Sequence, residues 1–150
     1  MVHIEVIGPA ESDSWWRELA GLYLRASLGE QFAIHCWKDE TQAIQQALQY
    51  GAVQPMNWAY GTVVTGTVTE KFQKFLLDSA VFQREGPDSG TQFTPFFGVF
   101  LGNAFCSSHY GRELDVEELG GSLEAEWKAL LNGLAQKDWL TLYALPTGKE

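Results

Sequence analysis

Two cysteines and three histidines are the residues of this chain best suited to nucleophilic or metal chemistry. Cys106 and His109 lie three apart, the one local pair in which an imidazole could take a proton from a thiol. In a regular strand such a pair points to opposite faces, so the two meet only if Ser107-Ser108 breaks the ladder. A buried thiol beside a partly exposed histidine is therefore expected, without a catalytic role. His35 and Cys36 are adjacent and must diverge in any strand. His3, Glu5 and His35 make a second set, since two imidazoles and a carboxylate suit zinc or iron. They could share one sheet face if the first two strands are neighbours. Their spacing is not diagnostic, and neither a metal nor any other cofactor is expected.

Glu113, Asp115, Glu117 and Glu118 crowd one short segment with no lysine among them. The run lacks the glycine and the regular oxygen ligands of a calcium loop, so it reads as a solvated acidic face. The chain carries a net charge of −9 and a pI near 4.7. Such a surface repels phosphate backbones and anionic lipid, which argues against nucleic acid and membrane as partners. It would draw in a basic protein, and the acidic segment is the expected contact surface.

Aromatic residues pose the other question. Phe93, Phe96, Phe97, Phe100, Phe105 and Tyr110 fall in one stretch punctuated by Gly98 and Gly102. Consecutive Phe96-Phe97 must put one ring on each side of a sheet, which favours core packing. The alternative is a pocket for a small apolar or planar ligand, lined by Tyr60, Phe97, Phe100 and His109, with Asn57 and Ser107 as orienting groups. Trp15-Trp16 and Trp37 are candidates for an oligomer contact. There is no Gly-x-x-x-x-Gly-Lys phosphate loop, Gly-x-Gly-x-x-Gly turn, Gly-x-Ser-x-Gly elbow or His-Glu-x-x-His helix. The balance leans away from an enzyme.

The elements that must position these residues follow from periodicity. Val2, Ile4 and Val6 alternate with polar residues as a half-buried strand. Ser12 or Ser14 opens a helix through Trp15, Leu19, Leu22, Tyr23 and Ala26, and Gly29 ends it. Phe32 to Trp37 is a second strand. Asp39 with Gln42 resembles a capping box before a short helix. The β-branched run Trp58 to Val68 is a third strand, with Gly66 marking a bulge or bend. Thr69 caps a helix through Phe72, Phe75 and Leu76. Gln83 to Gln92 is a loop, and Gly102-Asn103 is a two-residue type II′ hairpin turn. Ser122 caps the last helix, whose stripe Leu123, Trp127, Leu130, Leu131 and Leu134 should pack on the sheet. Trp139 to Leu145 closes that sheet, and the tail frays from about residue 146.

The order strand-helix-strand-helix-strand-helix favours parallel neighbours, and the hairpin adds an antiparallel pair. The expected fold is α+β or α/β: a mixed five- to six-stranded sheet with about four packed helices, in one domain over 1–150. A wholly parallel doubly wound sheet is the runner-up. With no targeting or membrane segment evident, the chain is expected to be cytoplasmic. The leading functional expectation is a small acidic domain that binds a basic protein partner, in the manner of an inhibitor or immunity protein. A small-molecule-binding domain or small enzyme using the aromatic pocket is one alternative, and a structural or regulatory oligomer subunit is another.

Overall fold

The computed structural model describes residues 1–10, 14–55, 58–79 and 92–145. Alternation forms β1 (Val2–Val6), with His3 and Glu5 opposite to Val2, Ile4 and Val6. Helix α1 (Ser14–Ala26) buries Trp15, Trp16, Leu19, Ala20, Leu22, Tyr23 and Leu24, a stripe wide enough to be covered on two sides. Strand β2 (Gln31–Trp37) turns Phe32, Ile34 and Cys36 inward. Helix α2 (Thr41–Ala47) begins after Glu40, and no side chain caps it. The expected Asp39–Gln42 box is not formed, and Glu40 instead accepts the Trp37 N–H at 2.8 Å. Strands β3 (Ala52–Gln54) and β4 (Gly61–Thr67) precede α3 (Glu70–Asp78), whose Thr69 cap accepts the Phe72 N–H at 3.1 Å. Then come β5 (Gly98–Leu101), β6 (Phe105–Ser108), β7 (Glu113–Val116), α4 (Glu124–Leu134) and β8 (Leu140–Ala144).

The strands form one eight-stranded sheet in the order β3-β4-β2-β5-β6-β7-β1-β8. Each of these pairings is antiparallel. Among the described residues the mixed α and β class and the four helices stand, whereas the expected five to six strands and the parallel neighbours are corrected. The strands that each helix joins do run the same way here, but they are not adjacent. Helix α3 carries the chain from β4 to β5, and β2 lies between that pair, antiparallel to both. Helix α1 likewise joins β1 to β2, four positions apart in the sheet.

The hairpin between β5 and β6 pairs Leu101 with Phe105, so its loop is three residues long rather than two. Gly102 nevertheless has the positive φ, +53°, that its first loop position demands. Gly66 causes no bulge, because β4 stays in register with β2 through Phe32↔Gly66. A Cβ there would lie 2.6 Å from both the Phe32 ring and the Tyr50 carbonyl oxygen, so the glycine serves close packing. The expected Gln83–Gln92 loop, apart from Gln92, lies outside the described residues, as do Ser12, Asn57 and the tail after Leu145.

One sheet face meets the helices. Phe32 stacks on Phe72 of α3 with ring centres 3.9 Å apart, and Phe105 packs against Trp16 and Tyr23 of α1. The Trp16 indole donates to buried Ser107 at 3.2 Å. Helix α4 packs against α1: Trp127 donates to the Tyr23 hydroxyl at 2.8 Å, and that hydroxyl donates to the Glu117 carbonyl. Of the α4 stripe, Trp127 and Leu134 are buried while Leu123, Leu130 and Leu131 are half-buried.

Candidate binding face

The opposite parity of every strand supplies the outward face. Across it, His3 stands between Asp115 of β7 and Tyr143 of β8, and Cys106 of β6 lies beyond Asp115. His3 Nδ1 lies 2.7 Å from Asp115 Oδ1, its Nε2 lies 3.9 Å from Glu5 Oε2, and the Tyr143 ring packs beside it at 5.0 Å. One step along, Glu5 stands directly opposite Glu113. Two carboxylates in that position repel each other and disfavour the pairing.

His35 also points outward, but β2 and β1 are four strand spacings apart, about 19 Å at about 4.8 Å each. The expected meeting of His3, Glu5 and His35 is therefore corrected: His3 and Glu5 stay together and His35 does not join them. His35 packs instead on Phe100 and Trp58, with ring centres at 4.6 and 5.7 Å. Burial there lowers its imidazole from the ordinary value, which favours the uncharged form. Among the described residues no group of three His, Cys, Asp or Glu is placed to hold a metal.

The thiols sit on opposite sides of the sheet. Cys36 is wholly buried, and burial, aided by the Glu40 charge, pushes its thiol up to about 12. Burial also raises the Cys106 thiol; a Ser108 hydrogen bond opposes this and the Asp115 carboxylate adds to it. Both groups are poor thiolates. Strand β6 runs unbroken through Ser108, and His109 lies in the short 3-10 turn beyond it. Its ring stands edge-on to Phe97 at 5.4 Å, and its Nδ1 is 3.5 Å from Glu113.

At this end of the face an open cup of about 670 Å³ is lined by Trp37, Lys38, Asp39, Glu40, Tyr60, Phe97, His109 and Tyr110. Its rings stand at steep angles: Phe97 meets Trp37 at 55°, Tyr110 at 80° and His109 at 88°. Trp58 backs the wall, 5.2 Å from Trp37. A Cβ at residue 61 would fall 2.2 Å from the Trp58 ring, so glycine there lets the indole lie close over β4. Tyr60 is 74% exposed and forms the rim. Glu40 is fixed at the base by two hydrogen bonds, Oε1 from the Trp37 N–H at 2.8 Å and Oε2 from the Tyr110 hydroxyl at 2.9 Å.

Three successive left-handed residues build this corner, with φ of 52° at His109, 60° at Tyr110 and 91° at Gly111. For a side-chain-bearing residue that conformation costs on the order of 1 kcal/mol. The surroundings hold it: the Phe93 N–H donates to the Tyr110 carbonyl at 2.9 Å, and the Tyr110 N–H to that of Phe97 at 3.2 Å. Gly111 is required twice over, since a Cβ would also lie 2.8 Å from the Trp16 indole nitrogen.

Of the residues expected in a pocket, Tyr60, Phe97 and His109 converge on this cup, while Phe100 lines a neighbouring groove with His35 and Val63. Of the four acids expected on one patch, Glu113 and Asp115 face outward in β7. Glu117 and Glu118 are exposed just past its end, and the Glu117 backbone ties that segment to Ala104 and Tyr23. Glu40 and Trp37 escaped the sequence reading of the pocket. The signal for Trp37 was present, because it shares strand parity with His35. Comparison with protein-family models, curated proteins and solved structures found no match.

Proposed function

We propose that this chain is a binding domain for a basic protein, which it meets with the outward sheet face. One observation carries the reading: the carboxylates Glu5, Glu113 and Asp115 share a single face with the aromatic cup. Acidic groups there would raise the association rate of a positively charged partner, and the half-buried rings would lengthen its residence. The opposed pair Glu5–Glu113 concentrates negative charge at one point of the face, beside Arg112 and His109, and a partner's cation reaching it would be drawn to both carboxylates.

Surface plasmon resonance against immobilised Lys/Arg-rich peptides over a salt series tests this. The triple variant Glu5→Gln, Glu113→Gln, Asp115→Asn should associate more slowly and with a flatter salt dependence than the parent. Equal association of the two proteins at every salt concentration would refute it. A small-molecule site in the cup is the second reading, favoured by a volume within the roughly 300–1,000 Å³ usual for such sites.

A further inference from the structure

We infer that the aromatic cup takes an alkylated ammonium head group, a cation that carries charge but few or no hydrogen-bond donors. This deepens the binding reading above by naming the group the site would hold. The walls are Trp37, Phe97 and the exposed Tyr60, with the buried Tyr110 ring set at 80° behind Phe97. Ring faces are negative and attract cations, most strongly where water is partly excluded. Charge of the same sign comes from Glu40 at the base and from Asp39, which is exposed at the lining.

The hydrogen bonds of Glu40 select among cations. Each of its oxygens already accepts one bond, from the Trp37 N–H and the Tyr110 hydroxyl. It therefore offers a fixed negative charge with about one lone pair per oxygen left over, in directions set by those two partners. A guanidinium brings five donors, more than that remainder can satisfy, and desolvating them without acceptors is costly. A trimethylammonium group brings none. It is a weakly hydrated cation whose methyl groups suit ring contact. Lys38 also lines the cup, but it is exposed, so its ammonium can remain in water while its stem stays by the rings.

The test is a titration followed by tryptophan fluorescence, since Trp37 and Trp58 lie in or behind the wall. The probes are choline, its neutral carbon isostere 3,3-dimethylbutanol, and free arginine amide. Choline should bind about tenfold more tightly than either of the others. Glu40→Gln keeps the side-chain shape, and it should weaken choline about tenfold while leaving dimethylbutanol unchanged. A merely structural role for Glu40 would move both. Equal binding of choline and its neutral isostere, or tighter binding of arginine amide, would overturn the inference.

A peptide bearing trimethyllysine, compared with its unmodified form, separates the two sources of the head group. Preference for the modified peptide over free choline places it on a protein, and the reverse places it on a small molecule. If Lys/Arg-rich peptides bind with the expected salt dependence but choline does not bind, this inference falls and the partner reading stands. If choline binds and the peptides do not, the partner reading alone falls.

Discussion

Cys36 shows how a single buried group ties the fold to pH. Its thiol would titrate near 9.0 in the unfolded chain, and in the folded protein burial pushes it up to about 12. The group's stabilising contribution is complete below about pH 9 and is lost as pH rises through about 12, because the unfolded state releases its proton first. Tyr23 acts in the same direction, its hydroxyl raised from 10.0 chiefly by burial although the Trp127 hydrogen bond opposes this. The urea midpoint should therefore fall steadily across this window, and Cys36→Ala should make the fall shallower. An unchanged slope in the variant would show that the thiol is not responsible. At this scale the sequence concealed as much as it displayed. Glu40 reads as an ordinary acidic residue at a helix start, and only the folded chain brings it to Tyr110, seventy positions away. The left-handed run at His109 and Tyr110 has no local signature beyond Gly111, because surrounding packing imposes it.

Among the elements, glycines distinguish space from its absence. Gly21 lies in the interior of α1, and apart from its chain neighbours and its own helix backbone no atom comes within 4 Å of where a Cβ would stand. Gly21→Ala should raise stability by roughly 0.5–1 kcal/mol through helix propensity. Gly66→Ala should lower it by about 1–3 kcal/mol, because the methyl group would strike Phe32 and the Tyr50 carbonyl. Chemical denaturation of both variants decides the matter, and effects of the same sign would contradict the packing described for β4. Elements with strong local signals were legible: β1 and β2 by alternation, α3 by its Thr69 cap, the hairpin by Gly102. Strand β3 has only three residues, all exposed, and β7 alternates carboxylates with Leu114 and Val116, so from sequence it reads as a solvated acidic face and not as a strand. Strand order was beyond a local reading, because it depends on which distant edges pair.

Charge is a property of the whole molecule, and here it should have opposite effects on the fold and on binding. With a net −9, the compact chain repels itself more than the unfolded one does. Raising salt from about 0.01 to about 0.15 M shortens the screening length from about 30 to about 8 Å. The thermal midpoint should therefore rise over that range while association with basic peptides slows. A midpoint that falls with added salt would mean that attractive pairs such as His3–Asp115 and Arg25–Glu126 outweigh the net repulsion. The sheet order has a further consequence, for synthesis. Strand β1 is made first, yet both of its partners, β7 and β8, lie more than a hundred residues later. At roughly 5–20 residues per second, the growing chain carries β1 unpaired for about 5–20 s before Glu113 leaves the ribosome. Strands β2 to β6 can pair among themselves meanwhile, so Val2, Ile4 and Val6 are among the apolar residues that a chaperone at the exit tunnel would meet and have to hold.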